Sequence, residues 1–110
     1  MFARVVEVAT HMEKKDEMIN AVRREVFPIL KKQPGFVEML PLFPEIANEK
    51  AIWITLWTEK RHAEKYVKEV FPKVEQIVKP FLAAPVTFKM YEVETKLCEH
   101  LVEALTATAA

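Results

Sequence analysis

The sequence predicts an α+β domain in which a strand–helix–strand unit occurs twice. The first observation is an apolar run over 51–57, Ala-Ile-Trp-Ile-Thr-Leu-Trp. Side chains alternate between the two faces of a strand. One side therefore carries Ile52, Ile54 and Leu56, and the other carries Trp53, Thr55 and Trp57. Because neither side is polar, we expect helices to cover one face and a second copy of the protein to cover the other.

Helical spacing of apolar residues and β-branched runs predict the remaining elements. The predicted elements are, in order, a strand over 2–10, a helix over 15–32, strands over 36–43 and 51–57, a helix over 59–78, a strand over 86–93 and a helix over 96–105. Pro28 and Pro72 predict a kink or a break in the first two helices. Pro41 and Pro44 predict that the second strand lies at a sheet edge or carries a bulge toward its end. Thr58 is a predicted helix N-cap.

A four-residue repeat divides the chain into two similar halves. The sequence Glu-Val-Phe-Pro occurs at 25–28 and again at 69–72, each time late in a helix that follows a strand. Two such halves give the order βαββαβ, the ferredoxin-like arrangement of a four-stranded antiparallel sheet with helices on one face. We therefore predict one domain over 1–94, followed by a C-terminal helix and a frayed tail over 95–110.

Length and composition limit the classes of function. The 110 residues carry 16 basic and 16 acidic side chains, and the net charge of zero argues against binding to nucleic acid or to an anionic membrane. The single Cys98 excludes an intramolecular disulfide, and no apolar run approaches the roughly 20 residues that span a bilayer. The charged start around Arg4 and Glu7 is unlike a signal peptide, so we predict a cytoplasmic protein. A hydrophobic content of 51% favours association.

Two short motifs stand where strands meet the elements before and after them. Pro34-Gly35-Phe36 enters the second strand, and Trp57-Thr58-Glu59 leads into a helix that carries Tyr66. With the order of elements over about residues 2 to 94, these motifs resemble the dimeric α/β barrel proteins, and within them the antibiotic biosynthesis monooxygenase-like group. The resemblance implies a homodimer whose two sheets face each other, with a pocket in each subunit between the sheet and the helices.

The resemblance implies several possible reactions, and the sequence argues against one of them. Some relatives oxidise polycyclic phenols with O2 and without a metal or a flavin, some degrade haem, and some are isomerases. Haem-degrading relatives resemble one another in an Asn on the first strand and a His at the position of Tyr66. Here the first strand has no Asn, and His62 lies one turn earlier, which argues against haem chemistry.

Aromatic and imidazole side chains are the first candidates for a site. Trp53 and Trp57 could wall a pocket for a flat aromatic ligand, or could fill the core. His11 and His62 are candidate general bases because imidazole titrates near neutral pH, although lone histidines more often lie on the surface. The segment 98–100, Cys-Glu-His, lacks the paired spacing of zinc ligands, so no metal site is predicted.

Several polar residues lie on predicted strands among apolar neighbours: Arg4, Glu7, Glu38, Thr55, Lys89 and Tyr91. A buried charge without a partner is costly, so these groups must pair, reach solvent or line a cavity. One interpretation is an intersheet or cross-strand ion pair of Arg4 or Lys89 with Glu7 or Glu38. The other is a site in which Tyr91 and one basic residue bind a phenolate or an enolate.

Two functions are compatible with these patterns. The first is a cofactor-independent monooxygenase-like enzyme that acts with O2 on a small aromatic or polyketide-like substrate. Its predicted catalytic residues are His62, His11 and Tyr91, and its predicted substrate-binding residues are Trp53, Trp57, Thr55, Arg4 and Lys89. The second is a non-catalytic dimeric module that binds a small apolar ligand or serves an assembly. An open pocket with a titratable group near a tryptophan favours the first, and a filled core with paired charges favours the second.

Overall fold

Four strands and five helices form the described part of the chain. The computed structural model describes residues 1–46 and 49–109, with side chains as far as Leu105. The strands are β1 (Phe2–Val8), β2 (Phe36–Leu42), β3 (Ala51–Trp57) and β4 (Thr87–Glu92). The helices are α1 (Lys15–Ala21), α2 (Phe27–Lys31), α3 (Lys60–Glu69), α4 (Phe71–Val78) and α5 (Glu99–Ala109), with short 3-10 turns at Met12–Lys14, Lys79–Phe81 and Thr95–Leu97.

The strands form one antiparallel sheet of order β2-β3-β1-β4. β1 lies in the middle and pairs with β3, with Arg4 opposite Thr55, and with β4 on its other side. This order confirms the predicted ferredoxin-like α+β fold, with the proline-containing β2 at an edge, where a missing N–H need not break the ladder. The irregularity in β2 lies between Phe36 and Glu38, near the start of the strand, and not toward its end as the prolines predict.

Each copy of the Glu-Val-Phe-Pro repeat lies at a break in a helix. Between α1 and α2 the chain makes a π-helical segment, Val22–Val26, before Pro28 enters the first turn of α2. Between α3 and α4 the backbone opens at Val70, with a φ of −116°, before Pro72 enters the first turn of α4. Proline fits a first turn because its missing N–H would have no helical partner there. The predicted interruptions are therefore confirmed at both prolines.

The ends of the helices differ from the predictions in detail. The N-cap of α3 is Glu59 and not Thr58, whose backbone N–H donates to the carbonyl of Gly35 at 2.8 Å. This bond ties the end of β3 to the start of β2. In the predicted tail, the backbone of α5 is helical as far as Ala109. The connection between the second and third predicted strands, over 44–49, which the sequence indicates as a short turn, falls partly outside the described residues.

The sheet has a covered face and an open face. The helices bury one side of β1 and β3, which carries the covered-face residues Arg4, Val6, Val8, Trp53, Thr55 and Trp57. By strand alternation the other side is the open face, which carries Val5, Glu7, Leu40, Leu42, Ile52, Ile54, Leu56, Lys89 and Tyr91. Leu42 is 52% exposed there. The helices thus cover one face, as predicted, whereas Leu40, Leu42 and Ile52 are exposed on the other, largely apolar face.

Candidate binding site between the sheet and the helices

Arg4 is a buried cation on the covered face of β1. Only 2% of its surface is exposed. Its guanidinium carbon lies 4.1 Å from the centre of the Phe71 ring and 4.5 Å from that of Phe88. Among the described residues, no carboxylate oxygen lies within 4.0 Å of it, and its Nε and Nη2 atoms have no hydrogen-bond partner. The rings stabilise the cation through their π faces but leave these N–H groups unsatisfied.

Three residues of β3 lie beside Arg4. Thr55 pairs directly with Arg4, and Trp53 occupies the diagonal position, opposite Val6. The indole N–H of Trp57 donates to the Thr55 hydroxyl at 3.0 Å. The indole N–H of Trp53 is buried and has no partner among the described residues. The pairing of β1 with β3 therefore brings together four of the residues that the sequence predicts for substrate binding.

These side chains border a small space between the sheet and the helices, here called the inner cavity. It has a volume of about 30 Å³. Apolar side chains of β1 and the helices form most of its wall, together with Arg4, Trp53, Thr55, Tyr66 and Phe71. One water molecule needs roughly 10–15 Å³, so the inner cavity has room for about two molecules of that size.

Burial controls the ionisation of the two titratable groups at the inner cavity. Loss of hydration lowers the pKa of Arg4 to about 10, while Tyr66 and Glu75 nearby act in the opposite direction. Burial raises the pKa of Tyr66 to about 12, against an opposing effect of Arg4. At neutral pH, Arg4 is therefore a charged donor and Tyr66 is a neutral phenol. Glu75 acts from beyond 4.0 Å, so Arg4 has no directly paired carboxylate among the described residues, and the cavity is favourable for an anion.

A larger opening, here called the side groove, lies between the first helical region and β2. It has a volume of about 260 Å³ and is lined by Ile19, Val22, Arg23, Phe27, Glu38, Met39, Pro41, Phe43 and Trp53. Met39 and Trp53 also line the inner cavity, so these two residues border both spaces. A cavity of about 150 Å³ can hold benzene, so the side groove has room for a molecule of one or two rings.

The π-helical segment Val22–Val26 contributes to both spaces. Val22 and Arg23 line the side groove, whereas Val26 lines the inner cavity. Arg23 is exposed at the groove and its Nη2 donates to the Asn20 side chain at 2.9 Å. Single π turns are rare in proteins. Those that occur often lie at functional sites, because they change which side chains a helix presents.

The predicted bases His62 and His11 lie elsewhere. The ring of His62, near the start of α3, lies against Gly35, where a Cβ would collide with it. Gly35 has a φ of +78°, which glycine adopts readily. His11 is exposed in the loop after β1, and its backbone N–H donates to the carbonyl of Phe81 at 3.2 Å. Neither histidine is among the described residues that line the inner cavity or the side groove.

Tyr91 and Lys89 lie on the open face, so the sheet separates them from Arg4. Within β4 they pair with the residues of β1 whose side chains point away from the helices. Together with Glu7 they line a hollow of about 210 Å³ on the open face. Tyr91 is 50% exposed. The structure therefore divides the predicted site residues between the two faces of the sheet.

The cross-strand ion pair that the sequence leaves open does not form at Arg4. Arg4 and Glu7 lie three positions apart in one strand and point to opposite faces. Glu7 instead has its carboxylate 3.6 Å from the Nζ of Lys50. The carboxylate of Glu38 accepts a hydrogen bond from the Met39 N–H at 2.9 Å. Neither glutamate serves as the counter-ion of Arg4.

Tyr66 and Phe71 belong to the site, although the sequence predictions do not include them. The Tyr66 ring lies 5.0 Å from that of Trp57, and Phe71 covers one side of the Arg4 guanidinium. Phe71 belongs to the second copy of the repeat, and its counterpart Phe27 lines the side groove. The repeat was therefore the sequence signal that could have identified both phenylalanines.

Clusters of metal-binding side chains are absent from the part of the chain that is described. No group of three or more His, Cys, Asp or Glu side chains there is arranged to hold a metal ion. Across the described residues, no helix combines the length and the apolar character needed to cross a membrane.

Solved structures of other proteins share this architecture. A Nitrosomonas europaea protein, suggested to be an antibiotic biosynthesis monooxygenase, superposes with a TM-score of 0.68 at 14% identity, over 86% of this chain and 99% of that one. SnoaB, a cofactor-independent oxygenase from Streptomyces nogalater, superposes with a TM-score of 0.69 at 15% identity, over 84% and 92% of the two chains. A conserved protein from Methanosarcina mazei gives a TM-score of 0.66 at 16% identity, over 86% and 94%.

Sequence comparison adds no closer relative. No protein-family model and no curated protein sequence matches this chain. Identities this low establish a common fold and leave the activity of this chain open. The chain has the ferredoxin-like α+β fold of the antibiotic biosynthesis monooxygenase-like proteins.

Proposed function

We propose that the chain is a cofactor-independent oxygenase for a small aromatic molecule with an acidic C–H or O–H group. The observation that carries this proposal is the buried guanidinium of Arg4: the residue lines the inner cavity, two of its N–H groups are unsatisfied, and no carboxylate of the described residues lies within 4.0 Å of it. A core that served stability alone would exclude such a group, because an unpaired buried charge costs several kcal/mol. An anion formed from the substrate would be the missing partner.

The side groove and the inner cavity suggest how such a substrate would bind. The aromatic rings would occupy the side groove against Trp53 and Phe43, whose own rings lie 6.4 Å apart. Negative charge that develops on the substrate would then be directed past Met39 toward Arg4. The groove is mainly apolar, so its occupant would gain from leaving water, while the donors would fix its orientation.

The proposed reaction needs no electrons from the protein. A methylene carbon made acidic by a neighbouring carbonyl or phenol loses a proton, and the resulting carbanion reacts with O2. The carbon becomes a carbonyl carbon, the second oxygen atom leaves as water, and the substrate supplies all four electrons. The contribution of the protein would be to hold the reactants together and to stabilise the anion by means of Arg4 in a site that excludes water.

His62 and His11 remain the predicted general bases, and Tyr91 the third predicted catalytic residue. None of the three lines the spaces between sheet and helices in the described structure. Arg4 offers a different route, since a nearby cation lowers the pKa of the acidic group of the substrate itself. A substrate of sufficient acidity would then lose its proton without a dedicated base.

We also propose that the open face forms a homodimer, as the apolar side of β3 predicts. Leu40, Leu42 and Ile52 are more than a third exposed on that face, and Ile54 lies between them in the sheet. A contiguous apolar face of this kind is typical of an interface. Cytoplasmic location and independence of any cofactor remain predictions.

The alternative proposal is a dimeric module that binds the same class of ligand without turning it over. The observation that favours it is that neither His11 nor His62 is among the described residues that line the inner cavity. Both proposals require a ligand at Arg4, so they differ only in whether O2 is consumed.

The test uses 2-indanone, a two-ring ketone with acidic methylene groups, and indane, which has the same rings without the carbonyl. Binding is measured by the fluorescence of Trp53 and Trp57, and turnover by oxygen uptake. We expect 2-indanone to bind more tightly than indane and to be oxidised with one O2 consumed for each dione formed. In Arg4→Met both effects should be lost, whereas Arg24→Met, which removes an exposed cation, should behave as the wild type.

Each outcome separates the two proposals. Binding of 2-indanone with oxygen uptake supports the oxygenase. Binding that depends on Arg4 but consumes no O2 supports the non-catalytic module. Equal binding of 2-indanone and indane, or binding that Arg4→Met leaves unchanged, contradicts both proposals.

A further inference from the structure

A further space, here called the helix-end pocket, lies where the chain leaves α4. It is lined by Glu75, Gln76 and Lys79 at the end of the helix and by the apolar segment 82–86, Leu-Ala-Ala-Pro-Val. Its volume is about 400 Å³, and a cavity of about 150 Å³ can hold benzene, so it has room for a molecule of the size of an amino acid. None of the residues that the proposed function assigns to the substrate lines this pocket.

Backbone hydrogen bonds hold the apolar segment of the pocket in place. The N–H of Leu82 donates to the carbonyl of Lys79 at 3.1 Å, which ties the segment to the end of α4. The N–H of Ala83 donates to the carbonyl of Ala9 at 2.8 Å, which ties it to the loop after β1. Because these bonds already order the segment, a ligand would lose less of its binding free energy to ordering the chain.

Glu75 and Lys79 bring opposite charges to the pocket without pairing. They lie four residues apart on one face of the helix with the glutamate first, which is the order that favours an ion pair. No carboxylate oxygen of Glu75 lies within 4.0 Å of the Nζ of Lys79, however. Glu75 influences Arg4, also from beyond 4.0 Å. The half-buried Glu75 and the exposed Lys79 can therefore each pair with a charged group of a ligand.

The end of α4 adds negative potential beside Glu75. In a helix the carbonyl of each residue accepts from the N–H four residues later, and the residue four beyond Gln76 is Pro80, which has no N–H. The N–H of Lys79 donates to the carbonyl of Glu75. The carbonyl of Gln76 thus lacks its helical donor at the negative end of the helix dipole. A carboxylate and a helix C-terminus both favour an ammonium group.

The spacing of the two charges restricts the ligand. Side chains four residues apart on a helix have their Cβ atoms roughly 5–6 Å apart. A molecule that contacts both must therefore carry its own opposite charges close together. In an α-amino acid a single carbon atom joins the ammonium group to the carboxylate, so this class of molecule meets the requirement.

We propose that the helix-end pocket binds a free α-amino acid with an apolar side chain. The ammonium group would lie at Glu75 and the carboxylate at Lys79, while the side chain packs against segment 82–86 and leaves water. This site takes a different ligand from the proposed oxygenase substrate and does not depend on the proposed function.

The test uses L-phenylalanine beside two analogues that each lack one charge, 3-phenylpropionate and 2-phenylethylamine. NMR titration of the isotope-labelled full chain measures the location and the affinity of each. We expect saturable shifts of backbone amides within 75–86. L-phenylalanine should bind at least about threefold more tightly than either analogue, because it alone pairs with both charges.

Two variants assign the two contacts. Glu75→Gln should weaken L-phenylalanine about fivefold and leave 3-phenylpropionate within about twofold. Lys79→Met should weaken L-phenylalanine about threefold and leave 2-phenylethylamine within about twofold. The controls are Glu64→Gln and Lys73→Met, which change exposed charges that do not line the pocket and should leave every affinity unchanged.

A third variant keeps the test decisive if Glu75→Gln fails to fold. Ala84→Phe fills the helix-end pocket without removing a charge and should weaken all three ligands. The proposal is overturned if shifts do not saturate up to about 10 mM L-phenylalanine, or if they centre on the side groove. Equal affinity for L-phenylalanine and either analogue also overturns it. None of these measurements uses O2 or 2-indanone, so this site and the proposed function can fail separately.

Discussion

The two faces of the sheet both carry groups that a solitary folded chain would place elsewhere. On the open face, Leu42 is 52% and Ile52 is 38% exposed. On the covered face, the charged Arg4 is only 2% exposed. A protein partner removes exposed apolar surface from water, whereas an anion pairs with a buried cation and satisfies its N–H groups. The difference leads us to assign association to the open face and ligand binding to the covered face.

Similar residues on opposite faces make this comparison testable. Tyr66 and Arg4 contact each other on the covered face, and burial shifts the pKa of both groups. Tyr91 and Lys89 lie on the open face and line only its hollow. A substitution on one face should therefore change association, and the matching substitution on the other should change ligand binding.

The largest expected effect comes from a charge placed in the middle of the open face. Ile54→Lys would bury two unpaired ammonium groups in a face-to-face dimer, one from each copy. We expect the dimer to weaken at least a thousandfold, or about 4 kcal/mol, so that light scattering reports the mass of one chain. Glu64→Lys on the exposed side of α3 is the control and should leave the mass unchanged. An unchanged mass of folded Ile54→Lys would refute the proposed interface.

The second effect concerns the same kind of change on the covered face. Arg4→Met should lower the affinity for 2-indanone about thirtyfold, or about 2 kcal/mol, because the developing enolate loses its charged donor. Fluorescence titration measures the affinity. Lys89→Met removes a cation from the open face and should change it less than about twofold. If both variants lost the same affinity, the two faces would not differ in the way we propose.

The third effect is a pH dependence with opposite signs for Arg4 and Tyr66. The folded pKa of Arg4, about 10, lies below its ordinary value of 12.5, so the fold disfavours the charged form and gains stability as pH rises from 10 toward 12.5. The folded pKa of Tyr66, about 12, lies above its ordinary value of 10.0, so the fold keeps a proton that the unfolded chain releases. Tyr66 therefore lowers the free energy of unfolding as pH rises from 10 to 12.

These contributions oppose each other in the wild type between pH 10 and pH 12. As pH rises over this range, the free energy of unfolding of Arg4→Met should fall relative to that of the wild type, because the rising contribution of Arg4 is removed. That of Tyr66→Phe should rise relative to the wild type. Each slope should differ from that of the wild type by up to about 1.4 kcal/mol per pH unit. Urea unfolding at several pH values measures both slopes. Parallel pH profiles for the three proteins would contradict the burial of these two groups.

The smallest effect compares single hydrogen-bonding groups on the two faces. Trp53→Phe removes one unpaired indole N–H and should weaken 2-indanone binding by about 1 kcal/mol, or roughly fivefold. Tyr91→Phe removes a hydroxyl from the open face and should change binding and oxygen uptake less than about twofold. A larger loss in Tyr91→Phe would extend the site to the open face and support the catalytic role that the sequence predicts for Tyr91.

The fold could be predicted because it depends on local patterns. The two-sided apolar run of β3 identified a strand that needs cover on both faces, and the prolines of the repeat marked both helix breaks. The π-helical segment Val22–Val26 could not be predicted, since no local residue preference distinguishes it from the helix around it. The N-cap predicted at Thr58 was wrong, because α3 begins one residue later, with Glu59 as its N-cap, and the backbone N–H of Thr58 continues the strand pairing to Gly35.

The site could be predicted only in part because it depends on the register between strands. Alternation alone places Arg4 with Val6 and Val8, but the sequence does not state that Thr55 stands opposite Arg4. Without that register, Arg4 and Lys89 are equivalent candidates, although the structure puts them on opposite faces. Arg4, Trp53 and Thr55 were therefore predicted as separate residues, and their common cavity was not.

The most direct test of the account is the free energy of unfolding of Arg4→Met without any ligand. We measure it by urea at pH 7 and one protein concentration, beside the wild type and Arg24→Met. If Arg4 is retained for an anion, its removal should stabilise the protein by about 1–3 kcal/mol, because methionine fills the space without an unpaired charge. Arg24→Met should stay within about 0.5 kcal/mol of the wild type. A loss of 1 kcal/mol or more in Arg4→Met would mean that Arg4 serves to hold the Phe71 ring against the core, and would contradict a ligand site on the covered face.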